Sequence, residues 1–199
     1  SEKSPLELSF IPIHPGDILS YGGYHFEVKL LKGHTFGQCG LYEPEKKLMF
    51  VGDQLMTTIV PIVGTQETDL GMLKCYLDSL GDLKHNYKDC YFLPCHYGEI
   101  RNVEKEVNRI ILGYLEKCEI MKHVLEEAGT ALTTRDIGVR TYGRSQGPPD
   151  YAHFASCTYI WAKTFSCMEY MMGEGFVERS ERDGIIYWKA PSIHFENNR

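Results

Sequence analysis

Residues 31–53, LKGHTFGQCGLYEPEKKLMFVGD, constrain the chain more than any other stretch. Val28, Leu30 and Leu31 bring in an apolar strand, and the run from Gly33 to Gln38 is rich in residues that turn the backbone. Leu41 and Tyr42 then read as a second strand. The Glu43-Pro44-Glu45-Lys46 turn joins it to a third, Leu48-Met49-Phe50-Val51. Gly52-Asp53 closes the unit with a carboxylate at a strand end, where a rigid element can aim a charged side chain into solvent. Three short strands in so few residues require a sheet, and a sheet requires a covering layer.

Around this unit the pattern alternates between strands and long amphipathic helices. Ile18-Leu19 and the alternating run from His25 to Leu30 predict two further strands. The run from Phe10 to Ile13, bracketed by Pro12 and Pro15, is at best an edge strand. Residues 55–63 predict a loop near a site mouth. Leu70, Leu73, Tyr76, Leu77 and Leu80 predict a helix to about Leu83, with Thr68 or Asp69 as its cap. Cys90 to Pro94 predict a strand that delivers His96 into the loop Cys95-His96-Tyr97-Gly98.

After Asn102 one apolar stripe runs from Val103 through Ile110, Tyr114, Cys118 and Leu125 to Ala128, with Gly129 placed for a C-cap. Thr133 and Asp136 have capping-box spacing for a second helix ending near Gly143. Residues 151–172 predict a third helix, and Asp183-Gly184 predicts a tight hairpin between two final strands.

Three features, in order, carry a resemblance. Gly33-His34-Thr35, Gly37, Gly52-Asp53 and Leu55 match the GHT-x-GH and GD-x-L pattern of the metallo-β-lactamase superfamily, and Leu93-Pro94-Cys95-His96-Tyr97-Gly98 resembles its P-G-H-G loop. The helix between them resembles the family's. The resemblance implies an α+β fold: residues 1–100 as the C-terminal half of an αββα sandwich, and 101–199 as a winged-helix domain of three helices and a hairpin. It covers only that half, because the family's H-x-H-x-D-H segment is missing from these 199 residues. The expectation is therefore a fragment of a longer hydrolase.

By this resemblance Asp53 is the carboxylate bridging two metal ions and His96 is a ligand to one. Position 38 is the ligand to the other, so Gln38 reads as a degenerate ligand. Gly33, His34, Thr35, Gly37 and Gly52 are assigned structural roles in the motif, His34 as a turn-stabilising hydrogen-bonding group. Cys39 and Cys95 are alternative thiol ligands, with packing as small buried hydrophobes the preferred reading. The implied cofactor is zinc or another divalent metal, one or two ions in the intact parent and none held by this chain alone. The implied reaction is metal-hydroxide hydrolysis of an ester, thioester or phosphodiester. The chain alone is expected to be inactive, and the rival reading is a non-catalytic binding module with a degenerate site.

Composition narrows the partners. A net charge of −6 argues against a polyanion, and the helix at 151–172 carries Lys163 but no other lysine or arginine, so nucleic acid is not expected. No apolar run approaches the ~18 residues of a membrane span, so no membrane partner is expected. Seven cysteines at scattered spacing, with no CxxC pair, read as reduced thiols of a cytoplasmic protein. Half a sandwich leaves one sheet face bare, so the expected partner is the missing half or a second chain, with homo-oligomers when alone.

Overall fold

The computed structural model describes residues 10–63, 71–143 and 151–191, with side chains from 158 onward in the last segment. Five strands form the main sheet: β1 (Ile18–Tyr21), β2 (Tyr24–Leu30), β3 (Cys39–Glu43), β4 (Leu48–Gly52) and β5 (Tyr91–Pro94). They lie in chain order. The first four are antiparallel, and β5 runs parallel to β4, as the intervening α1 (Met72–Asn86) requires. Residues 10–14 form no strand; Pro12 and Pro15 each lack a ladder donor.

Register divides the sheet into two faces. Opposed residues share a face, so Tyr42, Met49 and Phe92 lie together on one side. That side is covered: Met49, Val51, Leu31 and Phe92 are buried in one cluster with Leu73, Tyr76, Leu80 and Leu83 of α1. The other side carries Tyr21 opposite Tyr24, Leu19 opposite Phe26, and the row Val28, Leu41, Phe50, Leu93. Tyr24 stacks on Phe26, which meets Phe50 edge-on at 5.8 Å. No helix covers this side among the described residues, and Phe50 is 41% exposed.

Helix α1 starts two residues beyond the predicted start, behind Gly71 in a left-handed conformation (φ 57°), with no side-chain cap bond. Thr68 and Asp69 lie outside the described residues. The helix runs past Leu83 to Asn86, because Tyr87 donates its N–H to the Leu83 carbonyl and closes the last turn.

The remaining elements are α2 (Val103–Ala128), β6 (Leu132–Thr133), α3 (Thr134–Tyr142), α4 (Tyr151–Gly173), β7 (Glu178–Arg182) and β8 (Ile185–Lys189). Asn102 caps α2 by accepting from the Lys105 N–H at 2.9 Å, and Gly129 ends it at φ 60°. Thr133 and Asp136 form a capping box at α3. Positive φ at both Asp183 and Gly184 gives β7–β8 the turn that suits strand twist. These strands pair in the order β6-β8-β7, over a fully buried Trp188 whose Nε1 donates to Thr134 Oγ1 at 2.9 Å. The buried cluster is continuous from Leu31 to Trp188, so the helices after residue 100 share their core with the sheet. Among the described residues no helix is long and apolar enough to cross a membrane.

Candidate functional site

The C-terminal end of β4 presents Asp53. Asp53 Oδ2 stands 3.6 Å from His34 Nε2, and Asp53 Oδ1 stands 3.6 Å from His96 Nε2. One carboxylate thus lies between two imidazoles, each facing a different oxygen. Oδ1 is buried and has no hydrogen-bond partner, which is costly for a carboxylate oxygen unless a cation or donor joins it.

His34 is held from its other nitrogen. Nδ1 lies 2.8 Å from the Ile62 carbonyl, which can only accept, so Nδ1 carries a proton and Nε2 is the nitrogen that faces Asp53. Its turn is braced by Gln54, a fully buried residue next to the carboxylate. Gln54 Nε2 donates to the Lys32 carbonyl at 3.1 Å and to Ser79 Oγ at 3.0 Å, and Gln54 Oε1 accepts from the His34 N–H at 3.4 Å. His96 sits on the loop after β5, tied to β4 by the Cys95 N–H on the Gly52 carbonyl at 3.2 Å. Tyr97, at φ 68°, turns that loop, and Thr57 Oγ1 donates to its carbonyl at 3.3 Å.

Gln38 lies against Gly52, beside Asp53, with its amide turned to the backbone. Its Nε2 donates to the Cys39 carbonyl at 3.3 Å and reaches the Val51 carbonyl at 3.5 Å. A Cβ on Gly52 would overlap that Nε2, so the amide lies flat on the backbone where only glycine leaves room. Gly33 does the same for Tyr76, and Gly37 and Thr35 shape the turn, where the Thr35 carbonyl accepts the Gly33 and Gln38 N–H groups. Cys39 is half-buried with its thiol on the Gly37 carbonyl at 3.4 Å. Cys95 is exposed, which corrects its reading as a buried hydrophobe: its loop leaves the sheet at Pro94 and carries the thiol into solvent.

Two solved structures superpose on nearly the whole chain. A metallo-β-lactamase family protein from Thermus thermophilus matches with TM-score 0.76 and 22% identity, over 92% of this chain and 55% of that one. A β-lactamase domain protein from Burkholderia ambifaria gives TM-score 0.76 and 18% identity, over 92% and 53%. The chain has the metallo-β-lactamase fold. It spans about half the length of the solved structures it matches. A hydroxyacylglutathione hydrolase from Haemophilus influenzae is 50% identical over 40 residues, 20% of this chain and 19% of that protein. No family model matches.

The metallo-β-lactamase fold implies a divalent metal, and the donors can be tested against one. Two donors on a tetrahedral zinc-sized ion are about 3.4 Å apart, given bonds of about 2.1 Å. Each His–Asp pair here is 3.6 Å apart. Among the described residues no three His, Cys, Asp or Glu side chains gather closely enough to hold a metal ion. Each His–Asp pair therefore offers two donors at about the spacing a metal ion needs, and the His, Cys, Asp and Glu side chains among the described residues do not complete a shell around either pair.

Sequence reasoning passed over Gln54 and the Ile62 carbonyl; it took His34 as a turn-stabilising hydrogen-bonding group, and His34 does bond to Gln54 through its N–H and to the Ile62 carbonyl through Nδ1, besides facing Asp53. A signal for Gln54 was present, since a lone amide beside Asp53 and ahead of the apolar Leu55-Met56 pair has to be hydrogen-bonded if buried. Nothing local pointed to a carbonyl contributed from 28 residues away.

Proposed function

We propose that this chain is the C-terminal portion of a metal-dependent hydrolase built on the metallo-β-lactamase fold, and that alone it does not turn over substrate. The observation that carries the reading is Asp53 between His34 and His96 with Oδ1 buried and unpartnered. Asp53 and His96 keep the roles assigned from the motif. The second imidazole is His34, so the departure at Gln38 leaves both His–Asp pairs intact, and that position clamps the backbone instead.

A divalent metal bound there, zinc or another, would supply an activated water and polarise the scissile carbonyl or phosphoryl group. The chain's own contribution is to hold the carboxylate at a strand end, to fix the His34 ring from behind, and to keep His96 on a loop anchored to the same strand. Among ester, thioester and phosphodiester, the segment shared with a hydroxyacylglutathione hydrolase favours an acyl thioester.

The bare sheet face supplies the partner. Tyr24, Phe26, Leu41, Phe50 and Leu93 form an apolar surface that a second sheet would cover, either from the missing half or from another chain. We read residues 101–199 as a winged-helix unit, supported by the order helix, strand, helix, helix, strand, strand and the sheet order β6-β8-β7. Its cleft of about 560 Å³ is lined mainly by apolar side chains, among them Trp161, Phe165, Ile185 and Ile186, with Arg135 as its one basic residue, which favours a protein face over nucleic acid. A cytoplasmic setting suits cysteines that form no disulfide among the described residues.

Metal content measured by mass spectrometry on the purified chain tests the assignment. Zinc taken up by the wild type should be lost in Asp53→Ala, His96→Ala and His34→Ala and kept in Gln38→Ala. Retention in His34→Ala with loss in Gln38→Ala would return the ligand role to position 38. Hydrolysis of an S-acyl glutathione by this chain alone, abolished by Asp53→Ala, would overturn the claim of inactivity.

A further inference from the structure

The loop at residues 55–63 supplies the carbonyl that orients His34, and helix α2 holds that loop. Tyr114, fully buried, donates its hydroxyl to the Pro61 carbonyl at 2.6 Å, one residue before the Ile62 carbonyl that faces His34 Nδ1. Earlier on the same helix, Arg109 donates from Nη2 to the Met56 carbonyl at 2.6 Å and to the Ile59 carbonyl at 3.3 Å. The guanidinium is itself fixed by Glu106 at 2.8 Å. Three carbonyls of an irregular loop, the last adjoining the one that faces His34, are thus set by two side chains of one helix. A separation of five residues spans about 7.5 Å of helix axis, enough to brace both ends of so short a loop.

The arrangement is not generic loop packing. A loop without ladder partners must satisfy its carbonyls somehow, and water would serve at the surface. Here the donors are a fully buried phenol and a half-buried guanidinium, both more costly to place than water. Burial pushes the Tyr114 phenol well above its ordinary range, which favours the protonated, donating hydroxyl.

We propose that Tyr114 and Arg109 are positioning residues for His34: by fixing residues 56–62 they aim the Ile62 carbonyl at Nδ1, and so keep Nε2 on the Asp53 side. Helix α2, which lies beyond the sheet unit, is on this view part of the site. The inference deepens the metal reading of His34 and rests on it for its functional meaning, while its structural content stands on the loop alone. Hydrogen-bond partners behind a ligating imidazole commonly change metal affinity by about 10–100-fold.

Tyr114→Phe removes the hydroxyl without opening a cavity, and Arg109→Gln removes the fork. The readout is the His34 tautomer, followed by long-range ¹H–¹⁵N correlation on the folded chain at a pH where histidine is ordinarily neutral. The wild type should show the Nδ1–H form, and each variant a mixture, with zinc affinity lowered about tenfold where zinc binds. Thr133→Ala, a destabilising change remote from the site, should leave the tautomer unchanged. If Tyr114→Phe fails to fold, Arg109→Gln decides alone. Folded variants that keep the wild-type tautomer would overturn the inference. A tautomer shift in a chain that binds no zinc would support it while counting against the metal reading.

Discussion

Gly33 and Tyr76 occupy each other's space: a Cβ on Gly33 would stand 2.8 Å from Tyr76 Cα and closer still to the ring. The ring is fully buried, and its hydroxyl donates to the Gln54 carbonyl at 2.8 Å. One contact therefore sets how closely the His34 turn approaches α1. Gly33→Ala has to displace the helix backbone or the turn, and its φ of 150° resists a side chain as well. A loss of about 3 kcal/mol is expected, read as a lowered urea midpoint at unchanged slope.

Gln54→Ala should cost about as much by a different route. It strands the Lys32 carbonyl and Ser79 Oγ in a buried setting and frees the His34 N–H. About 3 kcal/mol is expected from unpaired polar groups and the cavity together. Gln54→Glu keeps the shape but replaces the amide's two donors with acceptors facing the Lys32 carbonyl, so equilibrium unfolding at pH 7 should show no rescue.

Lys163 gives a pH signature. Burial over the Tyr114 ring, 4.8 Å from its centroid, lowers its pKa below the ordinary 10.5. Between the folded value and 10.5 the unfolded chain binds more protons, so this group's contribution to stability rises with pH across that window. Lys163→Met should stabilise the protein at pH 7, and the gain over wild type should shrink as pH approaches 10.5. A gain that stays constant across urea titrations from neutral pH up to about 10.5 would refute the assignment.

The bare sheet face should make the isolated chain self-associate. Phe50→Lys places a charge at the centre of that face, beside Phe26 and opposite Leu41. Sedimentation velocity should show a shift toward monomer, with stability changed by no more than about 1 kcal/mol because the site is already open to solvent. Association that persists unchanged would locate the contact elsewhere.

Much of the architecture was legible without coordinates, because it depends on neighbours within a turn. The apolar stripe and Gly129 bounded α2, Thr133 and Asp136 marked the start of α3, and Asp183-Gly184 marked the last hairpin. The placement of Asp53 at a strand end and His96 on the following loop could also be read, since each follows directly from an apolar run. The start of α1 could not: a left-handed Gly71 carries no side-chain cap for sequence reasoning to recognise.

By itself, then, the sequence determined the elements other than the short β6, their order, and the placement of Asp53 and His96, because helices, hairpins and strand ends are governed by short-range periodicity and capping. Only the tertiary structure decided which side chain of the 33–38 turn faces the carboxylate. His34 and Gln38 are four residues apart in an irregular turn, where no period fixes side-chain direction. Gly52 leaves a slot that takes Gln38, and Ile62, held through α2, supplies the carbonyl that turns His34 toward Asp53.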